Sequence, residues 1–376
     1  MAQKIETDGP EQERLQLLLS YLEVDPDNPA LKADAVDAAI EAGEAEIAVR
    51  LLGAEKLDGL TDANLNRLGL AELRRRDYAA SADAFAALVD RGVDDPAVRF
   101  NLAWARAMQK DFGSALLLLD PSVTKAIPQA AMLEVQLLHD AGEFDEAAAR
   151  AEAHLAEHPD HPGLAAAVSV LALDVENPEL AERCARIAGN HPDALATLGT
   201  LSLGKQDVAM ALDQFERALA MDPQSPRAWV GRGLAKMISP DSSDSAADID
   251  RGAELFEDHL GSWIAAGWAY LVKGDLQTAR ARFDKSMALD HNFAENFGSI
   301  AVVDVLEGNL DQARQGIATG LKLDRQCVSA MMAQSLLVSA EGDPEKGRAL
   351  FRKILETPIN DRGDTILQSL ARTGLG

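Results

Sequence analysis

Small residues recur along this chain at a nearly fixed interval, and that recurrence restricts its fold more than any other feature. Gly69, Ala103, Val135, Ser169, Gly199, Gly233, Gly267, Ala301 and Ser335 follow one another at steps of 34, 32, 34, 30, 34, 34, 34 and 34 residues. A second ladder keeps the same steps through Ser81, Ala115, Ala147, Ala181, Ala211, Ser245, Ala279, Ala313 and Gly347. Four residues further on stands a third, of larger apolar groups: Phe85, Leu119, Phe215, Ile249, Phe283, Ile317 and Phe351, with Ala151 and Ala185 as smaller members. Residues 192 to 225 show what one period holds. Pro192 suits the first turn of a helix, and Leu195, Leu198, Gly199 and Ser202 share one helical face. Residues 204 to 207 break the pattern. Val208, Ala211, Phe215, Ala218 and Leu219 then line a second helix, which Asp222-Pro223 stops. Gly199 and Ala211 let the two helices approach, and Phe215 fills the space beside them. Such a pair has too little apolar surface to fold alone, so it must stack on copies of itself.

The fullest local pattern is Trp263, Ala266, Gly267, Tyr270, Ala279 and Phe283. On these residues the chain resembles the tetratricopeptide repeat family, whose signature is W-x2-L-G-x2-Y followed by A-x3-F and P. The resemblance implies an all-α fold, a right-handed α-solenoid of about ten helix-turn-helix repeats. Residues 1–28 are expected to form an N-terminal tail and a capping half-repeat, 29–361 the solenoid, and 362–376 a C-terminal capping helix. The unit from Pro29 to Gly59 is degenerate, with Val36 and Ala48 in the small places and Gly43-Glu44 between its helices. Asp120-Pro121 should cut the helix SALLLL short, so that residues 120–128 bend the stack. The 30-residue step shortens the turn at His191-Pro192. SPDSSDS, residues 239–245, reads as a polar turn that caps the next helix, with phosphorylation as the functional alternative.

Composition narrows the partners. The net charge is −25, which opposes nonspecific binding to nucleic acid or to an anionic membrane surface; its plain reading is solubility for a long, open molecule. Cys184 and Cys327 fall in different repeats, so a disulfide is not expected. MAQKIETDGPEQER has neither a basic n-region nor an apolar core, and no run approaches the roughly 18 apolar residues of a membrane span. A reducing cytoplasm is the expected location.

Three motifs resemble chemistry. GTLSLGKQ, residues 199–206, matches a phosphate loop except that Gln206 replaces the hydroxyl residue that binds magnesium. His154, His158 and His161 have metal-like spacing, but Pro159 and Pro162 break the helix there, and no carboxylate or Cys is placed to complete a shell. Acidic pairs fall on solvent-facing sides. Neither enzymatic activity nor a cofactor or metal is expected.

In proteins of this resemblance the first helix of each repeat lines a concave groove. In this register its inner stripe reads, in one half, Phe100, Trp104 and Met132, and in the other Val230, Leu234, Met237, Ile264, Trp268 and Leu271. The same lines include Ala166, Ala196, Gly298, Val302 and Val305. The expected partner is an amphipathic helix or extended apolar segment of another protein, held by an adaptor or chaperone-like scaffold. The alternatives are self-assembly into a homo-oligomer and carriage of an apolar small molecule in the same groove. Family members that grip a C-terminal carboxylate use basic residues and Asn on these lines; Asn66, Arg67, Arg74 and Asn101 are the comparable residues, an incomplete set.

Overall fold

A computed structural model describes residues 9–53, 57–239 and 244–356. The described residues form 22 α-helices, one 3-10 turn at Leu57–Gly59 and no strand. They divide into two compact units, Met1–Val175 and Glu176–Gly376. The first unit holds α1 (Pro10–Val24), α2 (Pro29–Glu41), α3 (Ala45–Leu52), α4 (Asp62–Arg75), α5 (Tyr78–Asp90) and α6 (Pro96–Met108). It continues with α7 (Phe112–Leu118), α8 (Pro121–Ala126), α9 (Pro128–Asp140), α10 (Phe144–Glu157) and α11 (Pro162–Asp174). The second holds α12 (Pro178–Ala188), α13 (Pro192–Gly204), α14 (Val208–Met221), α15 (Pro226–Ile238), α16 (Ser245–Phe256) and α17 (Leu260–Val272). It ends with α18 (Leu276–Leu289), α19 (Ala294–Glu307), α20 (Leu310–Leu323), α21 (Val328–Ala340) and α22 (Pro344–Leu355). Within each unit, neighbouring helices pair as hairpins such as α4 with α5 and α13 with α14, and each hairpin packs on the next.

The ladders become the hairpin cores. Every member of the small-residue ladder is buried. Phe85, Phe215 and Phe283 are fully enclosed, each ring pressed against the glycine of its own hairpin, Gly69, Gly199 or Gly267. A β-carbon on Gly267 would stand 2.2 Å from the Phe283 ring, so no other residue fits without moving it. Hairpin α15–α16 takes this furthest. Gly233 faces Ile249 and the Ser245 carbonyl, while Gly252 of the opposite helix lies where a β-carbon would meet the Pro226 carbonyl at 2.9 Å.

Proline and aspartate set the helix boundaries. Pro96, Pro128, Pro192 and Pro226 each occupy a first turn, where the missing N–H costs nothing. Asp77, Asp111, Asp207, Asp275 and Asp343 cap second helices, each side chain accepting a backbone N–H three residues on at 3.0–3.2 Å. A carboxylate there satisfies an orphan donor and meets the positive end of the helix dipole. Part of the acidic excess therefore serves local structure as well as solubility.

Several expectations are corrected. Phe351, last of the third ladder, is 38% exposed, and Ser245 is only half-buried. Residues 120–128 do more than bend: Asp120 accepts hydrogen bonds from the backbone of Ser122 and Val123 and starts the additional helix α8. Helix α1 packs on α2 as the expected half-repeat, but its outward face shows Leu17, Tyr21 and Val24 at 51, 51 and 86% exposure. The capping helix at 362–376 and most of the 239–245 turn lie outside the described residues.

Candidate interaction surface

First helices of adjacent hairpins touch: α13 with α15, α17 with α19 and α19 with α21, and in the first unit α2 with α4 and α9 with α11. No comparable approach joins consecutive second helices among the described residues. The first helices thus form the close-packed side of each unit.

The nine apolar residues expected on this side are all at least partly accessible. In the first unit Phe100 and Trp104 lie on α6 with ring centroids 6.3 Å apart, half-buried over the cluster of Ala103, Ala107, Ala115 and Leu119. Met132 projects from α9, its sulfur 3.0 Å from where a β-carbon on Gly163 would stand. In the second unit Val230 and Met237 are half-buried on α15, and Leu234 between them is 38% exposed. Ile264, Trp268 and Leu271 are half-buried on α17. Trp268 also has structural work. Its indole N–H donates to Ser299 Oγ at 3.1 Å, and its edge meets the Phe283 ring at 6.1 Å, so it ties α17 to α19.

The stripe is not continuous. Ala166, Ala196, Gly298, Val302 and Val305 of the same lines are buried in helix packing. Gly298 shows why: a β-carbon there would come within 2.3 Å of the Ala330 backbone nitrogen, so α19 and α21 approach through small residues and leave no accessible lining.

Charges near the accessible residues are paired within the fold. Arg232 donates two hydrogen bonds to Asp248, at 2.7 and 2.8 Å, and Lys236 lies 2.7 Å from the same carboxylate. Burial alone would raise the Asp248 carboxyl, but these cations reverse it and hold it below the ordinary range. Asp250, also buried, takes Arg282 and the Tyr270 hydroxyl. Arg280 bridges Asp304 and Glu307 at 2.5 and 2.9 Å. Sequence reasoning missed this network because its partners are 16 to 32 residues apart and share no local spacing.

The expected carboxylate contacts fare differently. Arg67 donates to both oxygens of Asp37, at 2.7 and 2.8 Å; these hydrogen bonds, more than any other influence, raise its pKa above the ordinary value. It is therefore committed inside the fold. Asn66 and Asn101 are half-buried and Arg74 is exposed near the end of α4.

The chemistry-like motifs resolve into packing. GTLSLGKQ is the end of α13 rather than a loop, and Lys205 pairs with Glu182 at 2.7 Å. The three histidines have separate partners. His154 is buried against Glu134, a carboxylate the sequence reading did not place there. His158 bonds the Thr124 carbonyl at 2.8 Å, and His161 Nδ1 accepts the Leu164 N–H at 3.0 Å to cap α11. Among the described residues no group of three or more His, Cys, Asp or Glu is placed to hold a metal.

Helix hairpins repeated every 34 residues and stacked through glycine–aromatic contacts define an α-solenoid repeat protein. A family profile described as "Tetratricopeptide repeat" matches residues 66–131 and 196–237, and the chain is a tetratricopeptide repeat protein. Among solved structures it is similar to the APC/C hetero-tetramer Cut9-Hcn1, at 13% identity and TM-score 0.53 over 97% of this chain and 87% of that one. A tetratricopeptide repeat protein from Parabacteroides merdae matches at 16% identity and TM-score 0.46, covering 61% of this chain and 93% of its own. YrrB, described as a TPR protein with an unusual peptide-binding site, matches at 15% identity and TM-score 0.35, over 49% and 92%. At these identities the Cut9-Hcn1 likeness bears on the fold alone, and the other two carry no further argument. No curated protein matches in sequence. No helix among the described residues is long and apolar enough to cross a membrane.

Proposed function

We propose that this protein is a protein–protein interaction scaffold that holds an amphipathic helix or an extended apolar segment of a partner against its first helices, without performing chemistry itself. One observation carries the reading. On the second unit's first helices, Val230, Leu234, Met237, Ile264, Trp268 and Leu271 keep accessible surface, while Arg232 and Lys236 beside them are neutralised by Asp248 and α17 has no charged residue. An apolar surface whose neighbouring charges are internally paired suits an apolar ligand better than an ionic one. Met237 lets the surface adjust to more than one shape. Phe100, Trp104 and Met132 offer a second anchor patch on the first unit. Two buried free thiols, Cys184 and Cys327, suit a reducing cytoplasm.

Selection of a displayed random peptide library on the full chain tests this. Enriched peptides should carry apolar residues at helical or alternating spacing, and Leu234→Asp should abolish their binding while the exposed-site variant Asp213→Ala leaves it intact. Enriched peptides indifferent to Leu234→Asp would contradict the proposal.

A further inference from the structure

A different edge of the second unit carries a second apolar ladder. Met221 closes α14, Leu289 closes α18 and Leu323 closes α20, with Leu255 next to last in α16. The four stand 34 residues apart, each six after the buried Phe215, Ile249, Phe283 or Ile317. Met221, Leu289 and Leu323 are nonetheless 55, 44 and 45% exposed. The same register in the first unit holds Arg91, Lys125 and Glu157, so hairpin stacking does not itself require an apolar group there.

Three of the four are followed by an aspartate. Asp222, Asp290 and Asp324 end their helices, each carboxylate accepting the backbone N–H two residues on at 2.8–2.9 Å. The C-terminal end of a helix already carries partial negative charge, so a carboxylate on each makes this edge electronegative. Beside Leu289 a cleft of about 350 Å³ opens, lined also by Glu254, Glu257, Trp263 and Lys285.

We propose that this edge binds a basic segment of another protein in the polyproline II conformation, with an apolar residue at every third position. Stacked hairpins repeat at a spacing on the order of 10 Å, and a polyproline II chain returns to one face every three residues, about 9 Å further on. Apolar side chains then meet successive ladder residues, and the basic residues between them meet the aspartates. The edge consists of helix ends and turns rather than a trough between helices, so a slim chain suits it better than a cylinder of about 10–12 Å diameter.

The test is fluorescence anisotropy of a labelled peptide of four Leu-Lys-Pro triplets against the full chain. Saturable binding is expected, weakened at least about tenfold by the triple variant M221S/L289S/L323S and weakened by salt. These residues are exposed, so the variant should retain its circular dichroism and melting temperature. The pair Asp290→Asn and Asp324→Asn, which keeps the turn-capping oxygen and removes the charge, should also weaken binding, and a Leu-Glu-Pro peptide should not bind. Absence of saturable binding, equal affinity in the triple variant, or equal binding of the acidic peptide would overturn the proposal.

Discussion

The ring of Phe215 lies 2.3 Å from the point where a β-carbon on Gly231 would stand, closer than its 2.7 Å approach to the same point on Gly199 of its own hairpin. One side chain therefore sets two spacings, within a hairpin and between hairpins.

Gly231→Ala should accordingly destabilise the second unit by about 1–3 kcal/mol, because a methyl group must displace a fully enclosed ring. Gly113→Ala is the control. Gly113 is helical with open space around its α-carbon, and alanine there should stabilise by roughly 0.5–1 kcal/mol. Denaturant midpoints of the two variants should move in opposite directions.

A second prediction concerns the turn between the two helices of a hairpin. Gly274, Gly308 and Gly342 take φ of 81, 83 and 105° there, but Lys110 and Gln206 hold φ of 62 and 64° at the equivalent position. A side chain in the left-handed region costs about 1–2 kcal/mol. Lys110→Gly and Gln206→Gly should each raise stability by about 1 kcal/mol, less what glycine loses through greater freedom in the unfolded chain. Thermal or urea unfolding checks this.

Hydrogen bonds from Ser122, followed by the Arg99 guanidinium, hold the Asp120 carboxyl at about 2 against an ordinary 3.8. A group with a depressed folded pKa binds fewer protons folded than unfolded, so its contribution is present above the ordinary value and is lost as pH falls towards 2. Asp120→Asn should lower the unfolding midpoint at neutral pH and converge with the parent chain as pH falls from about 4 to 2. A constant difference across that window would show that the carboxylate charge is not what holds α8 to α6.

Burial pushes both thiols, Cys184 and Cys327, above the ordinary thiol range, and both are fully enclosed. Each should react with a disulfide reagent only after local opening, on the order of a thousandfold more slowly than in denaturant. Rapid labelling of Cys327 would mean that the start of α21 opens readily.

The hairpins were legible because their steric need repeats: a missing side chain must recur wherever Phe85, Phe215 or Phe283 arrives. Gly231 and Gly252 were not legible, since each meets a group in another helix at a separation no single-helix period reports. The same holds for Arg232 with Asp248 and Arg282 with Asp250. Phe351 matched its ladder by position, yet its exposure comes from its place on α22, the last described helix, and not from its own register. On the candidate surface, periodicity assigned residues to a face, but it could not separate Leu234, which keeps its surface, from Val302, which loses it where glycine and alanine bring two first helices together.

Photo-crosslinking tests the central claim most directly. A library-selected peptide is irradiated with the protein carrying p-benzoylphenylalanine either in place of Leu234, on the first helix of its hairpin, or in place of Asp213, exposed on the second helix of another. The account predicts crosslinks from position 234 and none from 213; crosslinks from 213 alone, or from neither, would contradict it.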